Sequence, residues 1–243
     1  MVANWRSDSN IQLVWITLFG ISMAFFESSI VVYLRALYYP EGFTFPLEIV
    51  EPHIAVTEFF RELFSLLMII TVAVIATRNF MQRFANFLYI FAVWDIFYYI
   101  FLKVLLGWPA SLMTWDILFL IPVAWTGPVI TPIIISLIMI LFALTIRYYN
   151  RLSDFKMFLE VREWLVLIGG AIVIFVSFIW DYMAYVVNNY SKSADTIFDN
   201  LETITLNYTP QGFNWWIYLF GILLLLFSLS MIYRRNKKLY IKT

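Results

Sequence analysis

The hydrophobic pattern of this chain consists of six long apolar stretches, separated by shorter segments that contain proline, glycine and charged residues. Each stretch reaches about 20 residues, the length that an α-helix needs to cross the hydrocarbon core of a bilayer. Taking the breaks as helix ends places the helices at 11–36, 52–77, 84–106, 128–149, 163–187 and 214–233. The pattern therefore predicts an all-α, polytopic membrane bundle with six transmembrane helices.

The segment between the third and fourth predicted helices is apolar but broken by proline. It reads GWPASLMTWDILFLIPVAWTGPVITP over 107–132 and contains Pro109, Pro122 and Pro128. Proline removes a backbone donor and restricts the residue before it, so a continuous span from Leu112 is not expected. A short outer half-helix before the fourth span is predicted instead, and such breaks often border binding sites. A proline-rich outer loop packed on the bundle is the alternative.

The composition agrees with a membrane protein. Of the 243 residues, 63% are apolar, 20% are aromatic and 13% are charged, and the mean hydropathy is +0.82. Six spans and short loops use the whole length, so we expect a single membrane domain over 1–243 with the lipid bilayer as its surroundings. The first stretch is too long for a signal-peptide core and lacks a small-residue cleavage site, so it is expected to be a retained helix.

Several functions are excluded by charge, cysteine and histidine content. The formal net charge is zero and the sequence pI is about 6.6, so nothing indicates nucleic-acid binding. The chain has no cysteine, which excludes disulfides and thiolate metal sites. With one histidine, it cannot supply two histidines to a haem. No P-loop, dinucleotide-binding glycine pattern or nucleophile elbow is present.

The basic residues predict the orientation of the bundle. Twelve of the sixteen lysines and arginines fall at the N-terminus, in the second and fourth loops and at the C-terminus, and the positive-inside rule makes these segments cytoplasmic. They are Arg6, Arg78, Arg83, Arg147, Arg151, Lys156, Arg162, Arg234, Arg235, Lys237, Lys238 and Lys242. The outward loops then hold Glu41, Glu48, Glu51, Asp116, Asp195, Asp199 and Glu202 against Lys192. A multi-pass protein of the cell membrane with both termini inside is predicted.

Four acidic residues lie within the predicted helices, at or beyond mid-depth toward the outer face: Glu27, Glu62, Asp95 and Asp181. An ionisable group in a bilayer costs about 3 kcal/mol or more unless it is paired or wetted, so such a cluster indicates a functional site. At the rise of an α-helix, Glu27, Glu62 and Asp95 each lie roughly 13 to 17 Å below the outer end of their own helix. We expect these three acids to share a pocket, and they are the candidate catalytic residues, as general acid or base.

Other polar residues of the outer half are candidate ligand contacts. Asp95, Tyr99 and Lys103 recur every four residues and so form one polar stripe on the third helix. An arginine or lysine here could hold an anionic head group, whereas the surplus of acids favours a cation or protonated acids. The candidate ligand-binding residues are Arg35, Arg61, Tyr99, Lys103, Asp116 and Asp181.

A divalent metal is one cofactor that these residues could hold. His53, Glu58 and Glu62 follow one another at the start of the second helix, where carboxylates would suit Mg²⁺ or Mn²⁺ and the imidazole would suit Zn²⁺. Their spacing matches no metalloprotease pattern such as HExxH. A solvated histidine at the end of a span is the alternative interpretation.

The same charges could instead be structural. Buried ion pairs such as Glu27 with Arg61, or Asp95 with Arg35, would join helices without any ligand. Buried pairs are poor stabilisers relative to apolar packing, and the excess of acids would stay unexplained. Pairing therefore competes with the site hypothesis rather than replacing it.

Three classes of function remain open. A membrane-embedded enzyme or metal-binding protein acting on a lipid-like or small polar substrate from the outer face fits the one-sided charges. A non-catalytic subunit or ligand-binding protein would use the pocket for a lipid or another small molecule. A small-solute transporter needs access from both sides, yet the inner parts of the spans carry no charge. The sequence sets neither the substrate nor the oligomeric state.

Overall fold

The computed structural model describes residues 9–48, 50–152, 157–190 and 207–241. Within these ranges it has six helices that are long and apolar enough to cross a membrane. They are α1 (Ser9–Tyr38), α2 (Pro52–Ala76), α3 (Phe80–Leu106), α4 (Ile130–Leu152), α5 (Val161–Tyr190) and α6 (Trp215–Ile241). The predicted all-α, six-span bundle is confirmed, and the chain is an integral membrane protein. Of the residues used for orientation, Arg6, Lys156, Lys192, Asp195, Asp199, Glu202 and Lys242 lie outside the described residues.

Local sequence signals explain where several of these helices begin and end. α2 starts at Pro52, whose fixed φ suits the first helical position. The Asn79 side chain caps α3 by accepting the backbone N–H groups of Met81 and Gln82. α3 ends at Gly107, which has a φ of 68°, a left-handed conformation that favours glycine.

The segment between α3 and α4 forms an antiparallel hairpin, so the predicted half-helix was wrong. Strand β1 (Trp115–Phe119) pairs with strand β2 (Trp125–Pro128). Aromatic and β-branched residues favour the extended conformation, and Pro122 in the connection is incompatible with the interior of a helix. Glu62 accepts a hydrogen bond from the Leu120 N–H at the tip. The hairpin thus reaches about 15 Å below the start of α2.

The helices pack around two apolar cores that α3 joins. The larger core is formed by α3, α4, α5 and α6. α5 and α6 approach closely at Gly221, where an added Cβ would lie only 2.7 Å from Cδ1 of Ile174. Small residues permit such approach between membrane helices, which pack without a hydrophobic driving force. The smaller core joins the inner halves of α1, α2 and α3 through Ile16, Met23, Ile69, Ala73 and Ile90.

Toward the end of the bundle that holds the hairpin, which the positive-inside rule predicts to be the outer end, α1 and α2 are separated. α2 packs chiefly against α3, and the space between the outer halves of α1, α2 and α3 is bounded by strand β1. A non-helical backbone at membrane depth is tolerated where protein surrounds it or where it lines a cavity. The re-entrant hairpin meets this condition and forms one wall of the cavity.

Candidate functional site

The outer cavity has a volume of about 710 Å³, within the range typical of small-molecule sites. α1, α2, α3 and β1 enclose it together with the α1–α2 connection. Its apolar walls include Val31, Leu34, Ile54, Leu118 and Phe119. Its polar lining contains Glu27, Arg35, Glu58, Arg61, Glu62, Asp95, Tyr98, Tyr99 and Asp116. The structure therefore brings together the three candidate catalytic acids and four of the six candidate ligand-binding residues.

One polar group of the cavity is an ion-pair cluster around Arg61. Its Nη1 pairs with Glu27, and its Nε lies 2.8 Å from Glu58 Oε2. The Ser65 hydroxyl donates to the other carboxylate oxygen of Glu27, which is only 2% exposed. The structure thus shows the ion pair between Glu27 and Arg61 that the sequence offered as the alternative to a ligand site. These contacts satisfy the carboxylate of Glu27 without any ligand.

A second group surrounds Arg35. The alternative pairing of Arg35 with Asp95 was wrong, because Arg35 Nη2 lies 3.5 Å from Oδ1 of Asp116 in the hairpin. Tyr99 donates to Oδ2 of Asp116 at 3.1 Å. The centre of the guanidinium lies 3.7 Å from the Trp108 ring and 4.6 Å from the Phe43 ring. Cation–π contacts and the ion pair together fix this arginine at the cavity wall.

Burial changes the acidity of Asp116. Removal of this carboxyl from water raises its pKa to about 6, and the neighbouring Arg35 and the Tyr99 hydroxyl offset part of the rise. Asp116 is therefore able to change charge near the acidic end of the physiological range. Its loss of charge would remove the counter-ion of Arg35.

Glu62 and Asp95 differ from the other acids of the cavity. Glu62 Oε2 accepts the Leu120 N–H at 2.9 Å, and Asp95 Oδ2 accepts the Ser136 hydroxyl at 2.8 Å. Neither carboxyl has an arginine, lysine or histidine within ion-pair distance among the described residues. An uncompensated carboxylate is costly in an apolar environment. These two groups are suited to a protonated state or to a ligand that supplies hydrogen-bond donors or positive charge.

Two candidate ligand-binding residues do not line the cavity. Lys103 is exposed and donates to the carbonyl oxygens of Gly107 and Pro109, at 3.0 and 2.8 Å, beyond the end of α3. Asp181 accepts the Tyr208 hydroxyl at 2.7 Å on another side of the bundle. The polar stripe on α3 thus contributes Asp95 and Tyr99 to the site, whereas Lys103 interacts with the backbone that follows its helix.

The predicted metal site is not formed. No group of three histidine, aspartate or glutamate side chains in the described ranges is arranged to hold a metal ion. His53 is exposed and does not line the cavity. Glu58 is bound by Arg61, and Glu62 by the backbone of the hairpin. These partners keep the three side chains from converging.

Sequence reasoning missed several residues of the site. Ser65 and Ser136 each donate to an acid of a neighbouring helix, and isolated serines in apolar spans were the available signal. The Trp108 ring contacts Arg35, whereas a tryptophan near the end of a span is typical of an interface anchor. Leu120 contributes through its backbone N–H, for which the side-chain sequence holds no signal.

The inner side of the cavity is closed by apolar packing. Met23 of α1, Ile69 and Ala73 of α2 and Ile90 of α3 are at most 4% exposed. At the inner end, the Gln12 side chain donates to the carbonyl of the last residue of α2. The polar residues of the cavity are thus separated from that end by packed side chains. Comparisons of the chain with protein-family models, curated proteins and solved structures found no match.

Proposed function

We propose that this integral membrane protein binds a lipid-like, amphiphilic molecule in the outer cavity. The polar head of the ligand contacts Glu62 and Asp95, and its apolar part lies along Val31, Leu34 and Ile54. The observation that carries this proposal is the presence of two carboxyls, one buried and one half-buried, without a cationic partner among the described residues, in a cavity with largely apolar walls. A head group that donates hydrogen bonds or carries positive charge would supply the missing partner.

The closed inner side supports binding rather than passage. Apolar packing between α1, α2 and α3 separates the cavity from the inner ends of these helices. The charge pattern of the loops favours an outer position of the cavity in the cell membrane. The ligand then enters from the outer aqueous phase or from the outer leaflet.

Catalysis at the same cavity is the second candidate function. Glu62 uses one oxygen for the hairpin backbone, and its second oxygen has no hydrogen-bond partner in the described part of the chain. A carboxyl held in this way has an oxygen with which to exchange a proton with a bound substrate. Product formation from a bound amphiphile would separate an enzyme from a binding protein.

The binding proposal is tested with a matched pair of ligands. The protein is purified in an uncharged maltoside detergent and titrated by calorimetry with octylamine and with octanol. We expect saturable binding of the amine that is at least tenfold tighter than that of the alcohol. Glu62→Gln and Asp95→Asn should each weaken amine binding about tenfold, equivalent to about 1.4 kcal/mol.

Glu41→Gln is the control, because Glu41 is an exposed acid near the cavity that does not line it. This variant should bind the amine as the wild type does. Equal binding of amine and alcohol to the wild type would overturn the proposal. An equal loss of amine binding in Glu41→Gln and Glu62→Gln would also overturn it, since surface charge would then explain the effect.

A further inference from the structure

Arg35 has a hydrogen-bond donor that the protein does not use. Its Nη1 is buried and has no hydrogen-bond partner within the described residues, and the whole residue is only 9% exposed. Leaving a buried charged donor without a hydrogen-bond partner is energetically unfavourable. Because Arg35 lines the outer cavity, the natural source of an acceptor is the molecule that occupies this cavity.

The Arg35 guanidinium is fixed at the wall of the cavity, where a ligand can contact it. The Trp108 and Phe43 rings contact it, and Asp116 pairs with its Nη2. Asp116 is itself fixed by the Tyr99 hydroxyl. Such a preorganised guanidinium binds an anionic oxygen with little further loss of side-chain freedom.

Arg35 also lies close to one of the two carboxyls without a cationic partner. Tyr99 contacts the Arg35–Asp116 pair, and Asp95 lies one turn before Tyr99 on α3. Side chains four residues apart on a helix have Cβ atoms about 5–6 Å apart. The guanidinium and the Asp95 carboxyl therefore lie at neighbouring levels of the cavity, within the reach of one small head group.

We propose that the cavity recognises a dipolar head group, with an amine at Asp95 and Glu62 and an anionic oxygen group, phosphate or carboxylate, at Arg35. This inference rests on the proposed function and specifies the ligand class for the same site. An amphiphile with only an anionic head would meet the surplus of acids in the cavity. One with only a cationic head would leave the Arg35 donor unsatisfied. A head group with both charges satisfies both ends of the site.

The test compares two probes that differ only in the acidic group. N-octyltaurine carries an ammonium and a sulfonate, whereas N-octylethylamine carries the ammonium alone, and the sulfonate keeps its charge at every pH used. In maltoside detergent, calorimetry should show that the wild type binds N-octyltaurine at least tenfold more tightly. Arg35→Gln should reduce this preference to less than twofold.

A double variant tests the same inference if Arg35→Gln alone does not fold. Arg35→Gln with Asp116→Asn removes both members of the ion pair and leaves no uncompensated charge, so it should fold and lose the same preference. Arg78→Gln is the control, since Arg78 is exposed and lies at the inner end of α2, away from the cavity. It should keep the preference of the wild type.

The results separate failure of this inference from failure of the proposed function. Equal wild-type affinities for the two probes would overturn the Arg35 subsite while leaving amine binding in place. Retention of the preference in a folded Arg35→Gln protein would also overturn it. Absence of binding by both probes would overturn the proposed function itself.

Discussion

Two buried glutamates of this protein have the same kind of partner but different surroundings. Glu27 and Glu163 are 2% and 1% exposed, and each pairs with an arginine of another helix. Arg235 donates two hydrogen bonds to the Glu163 carboxylate, at 2.8 and 2.9 Å, and a further one to the Phe158 carbonyl. Both arginines also have a second acid within 4 Å, Glu58 for Arg61 and Glu160 for Arg235, but the Glu27 cluster lines the outer cavity.

The difference separates a structural ion pair from a polar group next to a binding site. Glu163 lies in the first turn of α5, where a negative charge is favoured, and it accepts the N–H of Glu160. Both of its oxygens are bonded within packed protein. The cavity cluster instead adjoins Glu62 and Asp95, which have no cationic partner among the described residues. Residue type alone therefore does not identify a functional acid in a membrane bundle.

The largest effect is expected for Glu163→Ala. This change leaves Arg235, whose side chain is 12% exposed, with Glu160 at 3.6 Å as its remaining acidic partner among the described residues, and it should lower the free energy of unfolding by about 3–5 kcal/mol. Unfolding in mixed micelles with increasing denaturing detergent measures the change. Arg162→Ala, at an exposed neighbour, should stay within about 0.5 kcal/mol. A loss below 1 kcal/mol for Glu163→Ala would contradict the structural role of this pair.

Glu27→Ala should cost less, about 1–3 kcal/mol in the same assay. Arg61 keeps Glu58 as a partner and faces the cavity, so its charge is not left in packed protein. Equal losses for Glu27→Ala and Glu163→Ala would remove the distinction between the two clusters.

Stability should also depend on pH through Asp116. Because its pKa rises from 3.8 to about 6 on folding, the folded protein binds the extra proton between these values, and stability falls as pH rises through this window. The change should be about 3 kcal/mol, because a difference of one in pKa corresponds to about 1.4 kcal/mol. Asp116→Asn should flatten the profile between pH 4 and about 6, and Glu41→Gln should leave it as it is. A stability profile that rises with pH in the wild type would contradict the direction of the pKa shift.

The charged and titratable groups that face Asp116 are Arg35 from α1 and Asp95, Tyr98 and Tyr99 from α3.

The smallest effect is expected for Glu62→Gln. With no cation to leave behind, the change should alter the free energy of unfolding by at most about 0.5 kcal/mol or should stabilise the protein. Its effect belongs to ligand binding instead. A loss of 2 kcal/mol or more in the same mixed-micelle assay would show that Glu62 is a structural residue that holds the hairpin.

The sequence predicted the spans well and the neighbours of each side chain poorly. Hydropathy and proline positions placed five helices within four residues of their observed ends, because span length follows from bilayer thickness. The sixth helix, α6, continues eight residues beyond its predicted end at 233. Depth along a helix was also predictable, so Glu27, Glu62 and Asp95 were correctly expected to share a pocket. The rotation of each helix about its axis could not be predicted. For this reason Asp181 lies outside the cavity, and Arg35 pairs with Asp116 rather than Asp95.

The hairpin was the element that sequence reasoning could not supply. Its prolines correctly indicated a break, but the choice between a half-helix and two strands depends on partners from other helices. Trp125 packs on Phe175 and Phe178 of α5, and Leu120 needs the carboxylate of Glu62. Such tertiary contacts outweigh local propensity in short strands.

The re-entrant hairpin implies an order of assembly for the whole protein. A non-helical backbone cannot enter lipid by itself, because its N–H and C=O groups would have no partners there. The helices can insert one by one, whereas β1 and β2 can be seated only after α2 supplies Glu62 and α5 supplies the aromatic surface against which Trp125 packs. The outer cavity, whose wall is β1, is therefore completed only after α5 has been synthesised and inserted.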